Sequence, residues 1–118
     1  MDIEEIQQIC KSLPSVTEDI KWVNDLAFSI GGKMFCVVTL NEVPVSACFK
    51  VTEDQFEELC EMDGFKPAPY VGKYKWVMID NINRINKKQW LQYITQSYSL
   101  IKSKLPPKVL KLLRTTTQ

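Results

Sequence analysis

The chain has 118 residues, 45% of them hydrophobic and 25% charged, enough for one globular domain that buries roughly two-thirds of its unfolded surface without disulfides or a structural metal. Histidine is absent, which excludes Ser-His and Cys-His dyads, histidine general bases and metal sites built on imidazole. The net charge of +1 conceals a split: residues 1–65 hold four lysines against thirteen acids, a balance of −9, while residues 66–118 hold nine lysines and two arginines against Asp80 alone, a balance of +10.

Ile3, Ile6, Cys10 and Leu13 recur at helical spacing behind Asp2, a good N-cap, and Pro14 ends the run, so a first helix is predicted over about residues 2–13. The period then falls to two. A short strand around Ile20, Lys21 and Trp22 precedes the alternation of Leu26, Phe28 and Ile30, and Gly31-Gly32 reads as a tight hairpin turn into Lys33–Leu40. After Asn41–Pro44 comes a fourth strand, Val45–Lys50, completing an antiparallel meander. Thr52 with Gln55 forms a capping box, and Phe56, Leu59 and Cys60 are the apolar stripe of a second helix that ends near Gly64. Its other face carries Asp54, Glu57, Glu58 and Glu61, open to two readings, a solvated face or a collector of hard cations.

Phe65–Gly72 reads as an irregular loop because Pro67 and Pro69 oppose regular pairing, and Tyr74–Ile79 as a fifth strand with Tyr74 and Trp76 on one face. Asn86 with Gln89 opens the longest helix, whose predicted buried seam is Leu91, Ile94, Tyr98, Ile101 and Leu105. Pro106-Pro107 stops it. The basic amphipathic piece Lys108–Arg114 is expected to pack back on the domain rather than to lie on a membrane, before a polar end. The organisation is thus a domain over residues 1–105 and a short basic extension over 106–118. The fold class is α+β, in the order α-β-β-β-β-α-β-α, with a single antiparallel sheet and helices packed on one face.

The first ten residues hold three acids and no base, and no apolar run approaches about 18 residues, so a cytoplasmic chain without signal peptide or membrane span is expected. Cys10, Cys36, Cys48 and Cys60 are far apart, with no C-x-x-C pair, and read as buried reduced thiols. No phosphate-binding glycine loop or cofactor fingerprint is present, and no small-molecule substrate or catalytic residue is evident. Ser97 beside Tyr98, and Lys73 near Tyr70, read as capping, packing and surface charge. The charge split admits a basic face for a polyanion, salt bridges between the halves, or pairing of two copies. The richest local cluster, Lys66 to Trp76, mixes cations with rings, which suits a phosphate backbone with stacked bases but is also what a packed strand edge contains.

Gly32-Lys33-Met34-Phe35-Cys36, Cys48-Phe49-Lys50, Pro67-Ala68-Pro69-Tyr70 with Lys73 and Trp76-Val77, and Ser97-Tyr98-Ser99-Leu100 resemble, in order and spacing, the MmcQ/YjbR family. The resemblance runs from the first helix to about Leu105. It rests on Lys33, Phe35, Lys50, Pro69, Trp76, Ser97 and Tyr98, and implies a small α+β fold of the YjbR/CyaY-like kind. It also implies DNA binding through a winged β arrangement and no enzymatic activity; an iron role does not carry over, because the acids here lie on the second helix as well as the first. The expected phosphate contacts are Lys66, Lys73, Lys75, Lys102 and Lys104, with Tyr70 stacking or positioning its loop. The alternative is a protein-interaction module, self-associating or regulatory, that binds no nucleic acid. No metal and no cofactor are expected.

Overall fold

A computed structural model describes the backbone of residues 1–116 and the side chains of residues 1–113. Of the polar end expected after Arg114, only the backbone of residues 115–116 is described, where it is helical; residues 117–118 and the side chains of residues 114–116 lie outside the described residues. Helix α1 (Ile3–Lys11) starts where Asp2 accepts from the Glu5 amide, and buries Ile6, Ile9 and Cys10. Strands β1 (Val16–Lys21), β2 (Asp25–Ile30), β3 (Lys33–Thr39) and β4 (Ser46–Lys50) form the predicted meander. Gly31 and Gly32 both take positive φ in the β2–β3 turn. At Gly31 a side chain is doubly opposed, because an added Cβ would sit 2.7 Å from a Leu105 methyl.

Helix α2 (Glu53–Cys60) begins with the predicted reciprocal capping box of Thr52 and Gln55. Two differences follow. Phe65–Pro67 is a strand, β5, paired antiparallel with β6 (Trp76–Ile79), so the sheet has six strands in the order β1-β2-β3-β4-β6-β5. The prolines do not prevent this because β5 is an edge strand, where a missing donor leaves no ladder partner unsatisfied. The fifth expected strand is also shorter than predicted: Gly72–Tyr74 is a 3-10 turn, and Lys75 takes a left-handed φ of 65° before Trp76. Tyr74 and Trp76 therefore do not share a strand face; Tyr74 is exposed and Trp76 buried.

Helix α3 (Lys87–Lys102) carries the second predicted capping box, Asn86 with Gln89. Its seam is rotated from expectation at its start, where Trp90 is fully buried and Leu91 is half exposed; Ile94, Tyr98 and Leu105 are buried as read. The Trp90 indole donates to the Ile82 carbonyl at 2.8 Å, an anchor that a leucine cannot make. Helix α4 (Pro107–Thr116) packs on the domain through Val109, Leu110 and Leu113. All four helices lie on one side of the sheet, where Phe28, Val38, Phe49, Val77 and Ile79 meet Ile6, Leu59, Trp90 and Ile94 in one core. Among the described residues no helix is long and apolar enough to cross a membrane.

Candidate nucleic-acid interface

Antiparallel pairing sorts the loops to two ends of the strands. The β2–β3 turn, the last residue of β4, the first of β6 and the last of β5 share one end, since Ile30 faces Lys33, Lys50 faces Trp76 and Pro67 faces Val77. Helix α3 is tied to that end by Ser97. Its buried hydroxyl donates to the Phe35 carbonyl at 2.5 Å and accepts from the Lys50 amide at 3.0 Å, bridging β3 and β4 where the β2–β3 register shifts. The contact of Leu105 with Gly31 brings the residues after α3 to the same place. Removing the hydroxyl leaves a buried carbonyl and a buried amide without partners, so Ser97→Ala is expected to cost about 2–3 kcal/mol in urea unfolding without changing the fold.

The result is a cluster of cations. Lys50 is partly buried, its ammonium donates to the Tyr74 carbonyl, and its pKa is lowered, first by desolvation and then by the charges of Lys104 and Lys75. Three residues distant in sequence thus repel one another across this end. The described ion pairs are Lys11 with Glu18 and Arg84 with Asp80, neither of them here. Lys75 also lies 5.0 Å from the Phe56 ring, Lys73 5.2 Å from the Tyr74 ring and Lys102 5.5 Å from the Tyr98 ring. The Tyr98 hydroxyl donates to the Pro14 carbonyl, which burial alone accompanies with a raised pKa. Tyr70 is 98% exposed, on a left-handed φ of 67°, and Tyr74 is 57% exposed, so two rings are open to solvent near these cations.

The expected residues are only partly brought together. Lys75 and Lys104 converge on Lys50; Lys33, Lys73 and Lys102 belong to this end by position. Lys66 does not join them: it lies on the helix-free face of the sheet beside Met78, where its charge acts on Cys48 and Asp80. Lys87 and Lys88 open α3, a helix length of roughly 20 Å from its end. Lys50, named in the sequence only as a motif residue, is the centre of the cluster; the pairing of Val45–Lys50 with the strand of Trp76 is the signal that would have found it. Phe35, Trp76, Ser97 and Tyr98 are packing residues, Phe35 and Tyr98 meeting edge to face at 5.4 Å.

Cys10 and Cys36 are buried as expected, while Cys48 and Cys60 are only partly so. Burial raises the thiols of Cys48 and Cys60, and a hydrogen bond with Cys36 together with burial raises that of Cys10. The acidic stripe of α2 is solvated, and no group of three or more Cys, Asp or Glu side chains among the described residues could hold a metal ion.

The fold is shared with a crystal structure of the Deinococcus radiodurans protein DR2400, family-model domain DUF419, at a TM-score of 0.84 and 20% identity, over 95% of this chain and 87% of that one. A protein from Pseudomonas syringae is similar at a TM-score of 0.70 and 16% identity, over 85% of this chain and 98% of that one. No curated protein matches. The YjbR family model spans residues 11–100, which takes in the meander, the capping box of α2, Lys50, Lys75 and Ser97 but stops short of Lys102 and Lys104: the chain belongs to the YjbR family.

Proposed function

We propose that the chain is a non-enzymatic, cytoplasmic polyanion-binding domain whose ligand is DNA, held by its phosphates at the lysine end. The observation that carries the reading is the convergence of Lys50, Lys75 and Lys104. Concentrated cations without a carboxylate partner cost the folded state energy, and an anion placed between them relieves that cost. Neighbouring Lys33, Lys73 and Lys102 extend the positive surface, and the exposed rings of Tyr70 and Tyr74 offer stacking planes. Contacts of this kind position a backbone and carry little sequence information.

Fluorescence anisotropy with labelled duplex and single-stranded DNA at two salt concentrations tests the reading. The expected dissociation constants are roughly 10⁻⁵ M for either form at physiological salt, within the roughly 10⁻⁴ to 10⁻⁶ M range of non-specific binding, and tighter at 50 mM salt. If three phosphates are neutralised, raising salt to 200 mM weakens binding about 40-fold. No binding at the lower salt, or binding indifferent to salt, overturns the proposal.

A further inference from the structure

The cations of the lysine end are not equivalent. Lys73, Lys75 and Lys102 each stand over an aromatic ring, that of Tyr74, Phe56 and Tyr98 in turn. The negative face of a ring stabilises an ammonium ion over the free amine, so these three are held as cations. Among the described residues Lys50 stacks on no ring and forms no ion pair. It is instead fixed in place from two directions. Its amide donates to the Ser97 hydroxyl at 3.0 Å, and its side-chain nitrogen donates to the Tyr74 carbonyl. Strand alternation sends the side chain to the helix-free side of the sheet, two residues beyond Cys48, where it is partly exposed and open to a solute. Desolvation first, and then the charges of Lys104 and Lys75, lower its pKa, so more of this amine is unprotonated at a given pH than in the unfolded chain.

We propose that Lys50 is an acyl-acceptor site, modified by a small acyl phosphate whose phosphate group is held by Lys75 and Lys104. This role rests on the reading of the lysine end as a phosphate site and adds a covalent event that weakens it. The unprotonated nitrogen of Lys50 attacks the carbonyl carbon, a C–N bond forms, and the C–O bond to phosphate breaks with its electron pair leaving on the phosphate. Starting from the ammonium form, Lys50 gives up two protons, one to the departing phosphate and one to water. The products are a side-chain amide, hydrogen phosphate and one proton, with no change of oxidation state. Three features of the site favour this reaction. The amine is positioned before the donor arrives. Its free-base form, the nucleophile, is enriched. The neighbouring cations stand where negative charge grows on the leaving group.

Acylation turns the central cation of the cluster into a neutral amide. One phosphate contact is lost, so DNA affinity should fall about fivefold at 0.15 M salt and the slope of log affinity against log salt should become shallower by about 0.9. Anisotropy with Lys50→Gln, which carries the charge of the acylated form, measures that loss. The fold is not weakened in exchange. The amide keeps one N–H for the Tyr74 carbonyl, and the repulsion from Lys75 and Lys104 is gone.

The test incubates the full chain with acetyl phosphate and follows each lysine by peptide mass spectrometry at early times. Lys50 should be acetylated about tenfold faster than Lys87 and Lys88, which are exposed at the far end of α3. With an uncharged acetyl ester the lead of Lys50 should shrink to about threefold, because only the anionic donor is drawn in by Lys75 and Lys104. Inorganic phosphate should slow Lys50 and leave Lys87 and Lys88 unchanged. Lys75→Ala with Lys104→Ala should bring the acetyl phosphate lead down to that seen with the ester, and competition by phosphate on the unaltered chain reads the same recruitment without any substitution. Acetylation spread evenly over the lysines, or led by Lys75 or Lys104, overturns the proposal. So does a lead at Lys50 that is equal for ester and acetyl phosphate, or one indifferent to inorganic phosphate. No arm of this labelling uses nucleic acid. Salt-dependent DNA binding without a lead at Lys50 therefore defeats the acceptor site alone, and a lead at Lys50 in a chain that binds no DNA defeats the DNA reading alone.

Discussion

Trp90→Ala is expected to remove about half of the stability of the chain. Trp90 is fully buried, its ring meets Phe49 edge to face at 5.6 Å, and its indole N–H satisfies the Ile82 carbonyl. Truncation to alanine costs about 4 kcal/mol for lost burial and the cavity that remains, and the orphaned carbonyl adds about 1 kcal/mol. A domain of this size holds roughly 6–12 kcal/mol in total, so the midpoint of urea unfolding should fall by about half and the melting temperature by about 15–20 °C. Trp90→Phe separates the two contributions: it keeps most of the volume, loses the donor, and should cost about 1–2 kcal/mol. A loss below about 2 kcal/mol for alanine would mean that α3 collapses onto the sheet without the indole.

The same residue marks how far the sequence could be read. Helical periodicity placed α3 and its capping box, but Trp90 and Leu91 are adjacent and both apolar, so spacing alone could not choose which faces inward. The choice falls to the Ile82 carbonyl, a tertiary partner. The β2–β3 turn was legible because Gly31-Gly32 between alternating runs has few other uses. The pairing of β5 was hidden because proline argues against a strand unless the strand is already known to lie at an edge, and edge position follows only from the full strand order. The excess of cations in the second half was plain in the composition. Which of them converge was not, because Lys50, Lys75 and Lys104 meet through the register of β4 with β6 and the docking of α3 by Ser97. Lys66, which looked like a member of that group along the chain, is turned to the helix-free face by the two-residue alternation of β5.

Replacing Lys50, Lys75 and Lys104 together with alanine is expected to weaken DNA binding about 10²-fold at 0.15 M salt. Each phosphate neutralised contributes about 0.9 to the slope of log affinity against log salt, so the slope should become shallower by about 2.7. A Lys87→Ala, Lys88→Ala pair, at the far end of α3, should change affinity by less than about twofold. The effect on the fold has the opposite sign. Desolvation and the two neighbouring cations lower the Lys50 pKa, so the folded state disfavours its charged form relative to the unfolded chain, a cost present at neutral pH that fades as pH rises through the folded value. The triple variant should therefore melt no lower than the parent at pH 7, and any stability advantage should shrink towards alkaline pH. Weaker binding together with unchanged or raised melting temperature is the signature of charges kept for a ligand rather than for the fold. Binding that survives the triple substitution moves the interface elsewhere, and a variant that melts well below the parent makes these lysines structural.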